Sequence, residues 1–111
     1  MSELQPGVVQ HRVERRQVPR SKCDVGIEIE WGAAKLQGRV REISTEAIFV
    51  ELDPPLWIGA KFVALLELAE PVKLECVVQR VEPRRGMALS FSSGEPGRAA
   101  IASLLETLPK I

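Results

Sequence analysis

From Cys23 to Trp31 the side chains alternate in character. Cys23, Val25, Ile27, Ile29 and Trp31 are apolar, whereas Asp24, Gly26, Glu28 and Glu30 are small or charged. A period of two marks a strand with one buried face. Gly32-Ala33-Ala34 supplies a turn, and Lys35–Ile43 reads as a second strand with weaker alternation. Glu46–Leu52 is a third, with Ile48, Val50 and Leu52 on one face. Asp53-Pro54-Pro55 ends it, because neither proline donates to a ladder. Lys61–Leu68 is nearly all apolar, which predicts a fourth strand buried on both faces. Pro71 marks a further break before the fifth strand, Val72–Glu82. Its apolar positions run Val72, Leu74, Cys76 and Val78 and then slip to Val81, so a bulge is expected near Val77–Gln79. Pro83-Arg84-Arg85-Gly86 turns the chain, and Met87, Leu89 and Phe91 form the inward face of a sixth strand.

The period then changes. In Arg98–Leu108 the apolar residues Ile101, Leu104, Leu105 and Leu108 fall on one helical face. Pro96 suits a first helical turn and Pro109 a stop. The apolar stripe must cover something, most simply one mouth of the β-structure. The expected fold is therefore mainly β: a six-stranded antiparallel barrel with one C-terminal helix over residues 22–111. Residues 1–21 carry Pro6, Gly7 and Pro19, and Val8, Val9 and Val13 fit no period. This segment reads as a flexible basic leader.

Composition supports one domain with a real core: 111 residues, 45% of them hydrophobic. No apolar stretch is long enough to span a membrane and no signal-peptide core is present, so a cytoplasmic protein is expected. Cys23 and Cys76 sit in strand-like runs and read as buried, reduced thiols rather than metal ligands or a disulfide. Net charge is zero but unevenly spread. Residues 1–22 hold five basic and two acidic side chains, against ten and thirteen in the remainder. A basic leader on an acidic body points to an anionic ligand met by the leader, not to a general DNA- or RNA-binding surface.

Catalytic chemistry has no foothold. His11 is the single histidine, Ser44, Ser90, Ser92 and Ser93 lack a nucleophile-elbow context, and no glycine-rich phosphate loop opens a helix. A binding module is expected, not an enzyme, and no cofactor or metal is implied. The chemistry that does stand out is Arg15-Arg16-Gln17-Val18-Pro19-Arg20. Arginine's planar fork meets phosphate, or the O6/N7 edge of guanine, in a bidentate way.

This segment resembles the RxxxR motif of PilZ domains, often RRxxxR, which lies just before the first barrel strand. Arg15, Arg16 and Arg20 match it in full. The family's second motif, [D/N]xSxxG, lies in the turn between the second and third strands. The corresponding segment is Glu42-Ile43-Ser44-Thr45-Glu46-Ala47, with Ser44 in place. Ile48-Phe49-Val50, Pro54-Pro55, Gly59, Val78–Val81 and Gly86–Phe91 extend the resemblance over about residues 12–108. It implies a six-stranded barrel that binds cyclic di-GMP, usually as an intercalated dimer, and signals to an effector protein as a monomer or weak dimer. Arg16 and Arg20 would grip phosphates and guanine edges, with Arg15 adding a cationic or stacking contact. The residue at 42 would accept from guanine N–H groups, and Ser44 would add a hydrogen bond.

Glu42 and Ala47 depart from the motif, Glu46 changes the charge at a free position, and Ala88 stands where the family's last strand often has Gly. Glu42 stands for Asp or Asn and adds a methylene. Ala47 stands for Gly; a left-handed backbone there would cost Ala about 1 kcal/mol. Glu46 adds a negative charge. These departures raise a second reading, a degenerate PilZ domain that acts as a protein-interaction module. Leu56, Trp57 and Ile58 beside Pro54-Pro55 would be its exposed apolar patch, or alternatively a barrel plug. A third reading, a barrel for single-stranded nucleic acid, fits poorly with five aromatics, no tyrosine and an acidic body.

Overall fold

The computed structural model describes residues 19–109. Six strands form a closed barrel: β1 (Ser21–Trp31), β2 (Ala34–Ile43), β3 (Ala47–Glu51), β4 (Lys61–Leu66), β5 (Val72–Glu82) and β6 (Gly86–Ser92). Their order around the wall is β1-β2-β3-β6-β5-β4, every pair is antiparallel, and β1 pairs with β4 to close the ring. One helix, α1 (Glu95–Thr107), follows. The expected six-stranded barrel with a C-terminal helix is thus the observed fold. Most of the leader, with Arg15 and Arg16, lies outside the described residues. β1 opens at Ser21, at the leader's expected last residue.

The alternation seen in the sequence becomes inside and outside. Ile27 and Ile29 of β1, Val40 of β2, Val50 of β3, Leu66 of β4, Leu74 and Val78 of β5, and Met87 and Leu89 of β6 are all buried in one core. The expected bulge is present, since the β5–β6 register shifts between Val78 and Arg80. Similar shifts interrupt β1–β2 between Lys22 and Val25 and β2–β3 between Val40 and Glu42. Such irregularities bend strands so that a short sheet can close.

β4 corrects one expectation. Phe62, Ala64 and Leu66 are buried, but Val63 and Leu65 are only half-buried and Lys61 is exposed. A barrel wall has a single inner face, and among the described residues no second layer covers the outer face of β4. In β3, Ile48 and Val50 point into the core as expected, while Phe49 is buried on the other face beneath the Arg85 guanidinium, 5.0 Å from its ring centroid.

The barrel has two mouths. The first collects the start of β1, the end of β2 and the end of β6. The second collects the end of β1, the start of β2 and the β5–β6 turn. α1 covers the first: Ile101 is buried in the core, with Leu104, Leu105 and Leu108 packed against it. Gly97 permits this approach, because a Cβ there would come within 2.8 Å of Val72 Cγ1. Pro96 occupies the first turn of α1, and the Lys22 amide donates to the Pro109 carbonyl at 3.1 Å, tying the helix end to the start of β1.

Candidate functional site

Strand register carries Arg20 to the second motif. Ser21 pairs with Ile43 and Lys22 with Glu42, so the residue just before β1 emerges beside the end of β2. Arg20 Nη1 donates to Glu42 Oε1 at 3.1 Å. The Arg20 side chain is 59% exposed and that of Glu42 34%. A pair this open to water contributes at most about 1 kcal/mol, so Arg20 exchanges readily onto another anion.

Ser44 organises the turn that follows. It is buried, at 2% exposure. Its Oγ accepts from the amides of Glu46 at 3.2 Å and Ala47 at 3.1 Å, and donates to the Ala47 carbonyl at 3.3 Å. The Ser44 amide reaches the same carbonyl at 2.9 Å. One donor and two acceptor sites are all that a hydroxyl has, and the turn engages them all. Thr45, Glu46 and Ala47 are left exposed around this staple. Ala47 does not have the left-handed backbone that would penalise it, since Arg84, at φ 67°, is the one non-glycine residue with positive φ among the described residues. What replaces glycine here is therefore a methyl group and not backbone strain.

Beside the turn lies a cavity of about 290 Å³ between β6 and α1. Thr45, Phe91, Ser93, Arg98, Ile101 and Ala102 are among its walls. The Phe91 amide donates to the Glu46 carbonyl at 3.1 Å, fixing the turn against this wall. Sequence reading did not find the cavity, because its residues come from three elements far apart in the chain. The one available signal was Arg98, the only basic residue of α1.

On the outer wall, Arg39 Nη2 and Arg41 Nη1 lie 2.6 and 3.1 Å from Asp24 Oδ1, and Arg41 Nε lies 3.0 Å from Glu51 Oε1. The Arg39 hydrogen bond, helped by the nearby positive charges, holds the Asp24 carboxyl below its usual range. Burial pushes the Cys76 thiol up to about 12 and Cys23 up to about 11, and both cysteines are free. Among the described residues no cluster of His, Cys, Asp and Glu is suited to a metal ion, and no helix is long and apolar enough to cross a membrane.

At the second mouth the Leu56–Ile58 segment divides. Leu56 is buried, whereas Trp57 and Ile58 are 62% and 66% exposed. Trp57 packs edge-on against Trp31 with ring centroids 5.0 Å apart, and Trp31 packs likewise on Phe62 at 6.3 Å. The segment is thus both things expected of it, a plug at Leu56 and an exposed apolar patch at the next two residues.

The chain is thus a closed six-stranded barrel capped by a helix, with Arg20 meeting a serine-stapled turn at one mouth. The chain belongs to the PilZ domain family, whose model matches residues 14–106. Domains of this family bind ligands and partners and are not enzymes. Among solved structures the chain is similar to the Bacillus subtilis inhibitor of motility MotI/DgrA, with a TM-score of 0.68 and 22% identity. The match covers 84% of this chain and 53% of that one, so the present chain spans about half of its length. No curated relative matches the sequence.

Proposed function

We propose that the chain is a cyclic di-GMP receptor that relays the ligand's presence to a partner protein. The observation that carries this reading is the 3.1 Å contact between Arg20 and Glu42, which brings the two motifs together at one mouth of the barrel. Arg20 offers a bidentate fork to phosphate or to a guanine edge, and Arg16 and Arg15 extend the same chemistry along the leader. Glu42 offers an acceptor for guanine N–H groups. Ser44 shapes the surface that presents Glu42, Thr45 and Ala47. Bound in this way, the ligand ties the leader to the barrel, and the ordered leader becomes the surface that a partner reads. The free thiols, Cys76 buried and Cys23 half-buried, suit a reducing cytoplasm.

Titration calorimetry with cyclic di-GMP at high micromolar protein tests this directly. Wild type is expected to release or absorb heat, and Arg16→Ala and Arg20→Ala to abolish the signal. Ala47→Gly is expected to tighten binding by removing the methyl group. A wild-type titration without heat, confirmed by equilibrium dialysis, would refute the proposal.

A second reading is favoured by one observation, the exposure of Trp57 and Ile58 at the opposite mouth. There the domain acts as a protein-interaction module without the nucleotide. Trp57→Ser combined with Ile58→Ser is expected to abolish partner capture in a pull-down while leaving the unfolding midpoint unchanged. Capture that survives the double substitution would rule the patch out.

A further inference from the structure

We infer that the second mouth is the docking surface for a short acidic segment of a partner protein, an inference that deepens the interaction reading of Trp57 and Ile58 above. These two side chains stand exposed next to each other, yet their loop is braced. The Gly59 amide donates to the Val78 carbonyl at 2.8 Å, and the Val78 amide to the Ala60 carbonyl at 2.9 Å. Trp57 itself rests edge-on against Trp31. An aromatic side chain already held in place loses little freedom when a partner covers it, which is how interface anchors work.

Cations share this end of the barrel. Lys61 opens β4, Arg84 and Arg85 form the β5–β6 turn, and all three are exposed. Arg85 is engaged by Glu82. Lys61 and Arg84 have no carboxylate within 4.0 Å among the described residues, a condition that Arg98 shares at the other mouth. Arg84 is set apart by its backbone. The Arg85 amide donates to the Glu82 carbonyl at 3.0 Å, closing a turn centred on Pro83 and Arg84, and Arg84 has φ 67°. That is the corner of a type II turn, where glycine is preferred. An arginine kept there in spite of the strain points to a use for its side chain. Beside it lies a cleft of about 440 Å³ walled by Arg39, Leu52, Asp53, Arg84 and Arg85, with room for a carboxylate side chain.

The spacing and signs of the charges select the occupant. Gly59 lies beside Val78, and Arg84 follows six residues further along β5 and its turn. The surface is therefore on the order of 20 Å long, about six residues of extended chain. Glu30 and Asp53 are exposed among its cations. A uniformly anionic lipid surface would meet those carboxylates as well, whereas a peptide sets its own acids opposite Lys61 and Arg84 alone.

A random peptide library displayed on phage, selected on the immobilised full chain, supplies the probe. Fluorescence anisotropy of the enriched peptides on purified variants reads the binding. The enriched sequences are expected to carry Asp or Glu beside an apolar residue. Trp57→Ser with Ile58→Ser, Lys61→Glu and Arg84→Gly are each expected to weaken binding roughly tenfold, about 1.4 kcal/mol. Lys73→Glu, exposed at the other end of β5, should bind like wild type. Arg84→Gly also relieves the backbone, so its thermal midpoint should rise while its affinity falls, which no loss of fold can produce. Enriched peptides that need Trp57 but are neutral or basic, or that bind Lys61→Glu and Arg84→Gly as tightly as wild type, would overturn the acidic partner and leave the interaction patch standing. A library without any Trp57-dependent peptide would overturn both. Self-association in sedimentation velocity, or co-sedimentation with phosphatidylglycerol vesicles, that the Trp57–Ile58 double substitution abolishes would give the surface to a second copy or to lipid and overturn the proposal.

Discussion

Replacing Ser44 with alanine removes a single oxygen, yet that oxygen closes the turn between β2 and β3. It accepts from the Glu46 and Ala47 amides and donates to the Ala47 carbonyl. Each such bond is worth about 0.5–1.5 kcal/mol net, so the three set an upper bound of roughly 4.5 kcal/mol. Two factors lower it. Glu46 and Ala47 are exposed, so water reaches part of the freed N–H groups, and the Ser44 amide keeps its own bond to the Ala47 carbonyl. The expected loss is about 2 kcal/mol, larger than the usual effect of a surface change. At about 4–8 °C per kcal/mol for a domain of this size, the thermal midpoint falls by roughly 8–16 °C. Equilibrium urea unfolding followed by circular dichroism measures it, with Thr45→Ala as an exposed control expected within about 0.5 kcal/mol of wild type. A Ser44→Ala loss below about 0.5 kcal/mol with an unchanged urea slope would refute the staple.

Gly86→Ala is expected to destabilise by about 3 kcal/mol or more, because its Cβ would lie 2.0 Å from the Val50 carbonyl oxygen, a backbone atom of the neighbouring strand. A urea midpoint matching wild type would show that β3 and β6 do not approach so closely. Cys76 should resist thiol reagents at neutral pH until the protein unfolds, since burial pushes its thiol from an ordinary 9.0 to about 12. A thiol pKa raised by folding contributes stability fully below pH 9 that is lost as the pH climbs toward 12. Stability should therefore decline over that alkaline window, and a Cys76→Ala variant that declines equally would assign the loss to other groups. Cys23, only half-buried, should label first, and native-state labelling of Cys76 ahead of Cys23 would contradict the burial.

The barrel was legible because strand alternation is a local property. Ile27 and Ile29 advertise their inward face without any knowledge of their neighbours, and the phase slip after Val78 marks the bulge before β5 has a partner. β4 misled because apolar content alone does not say whether a second layer exists to cover Val63 and Leu65. At the site, the sequence located Ser44 but not its orientation, which depends on whether the following amides fold back onto the hydroxyl. The backbone angle at Ala47 was likewise invisible, because glycine in a family pattern marks either a left-handed residue or a close approach, and only geometry separates the two. The cavity was beyond reach altogether. Thr45, Phe91 and Arg98 become neighbours only after β6 and α1 have docked.

The pair Trp31 and Trp57 has a consequence for observation. The chain has two tryptophans and no tyrosine, and both indoles sit at the second mouth, 5.0 Å apart. The first mouth, with Arg20, Ser44 and the helix, is roughly 30 Å away at the far end of the strands. The molecule's intrinsic fluorescence and near-ultraviolet dichroism thus watch one end of the barrel while the arginine chemistry occupies the other. An emission change that follows nucleotide addition, and disappears in Arg20→Ala, would be an optical record of one end of the barrel informing the other, obtained without attaching a dye.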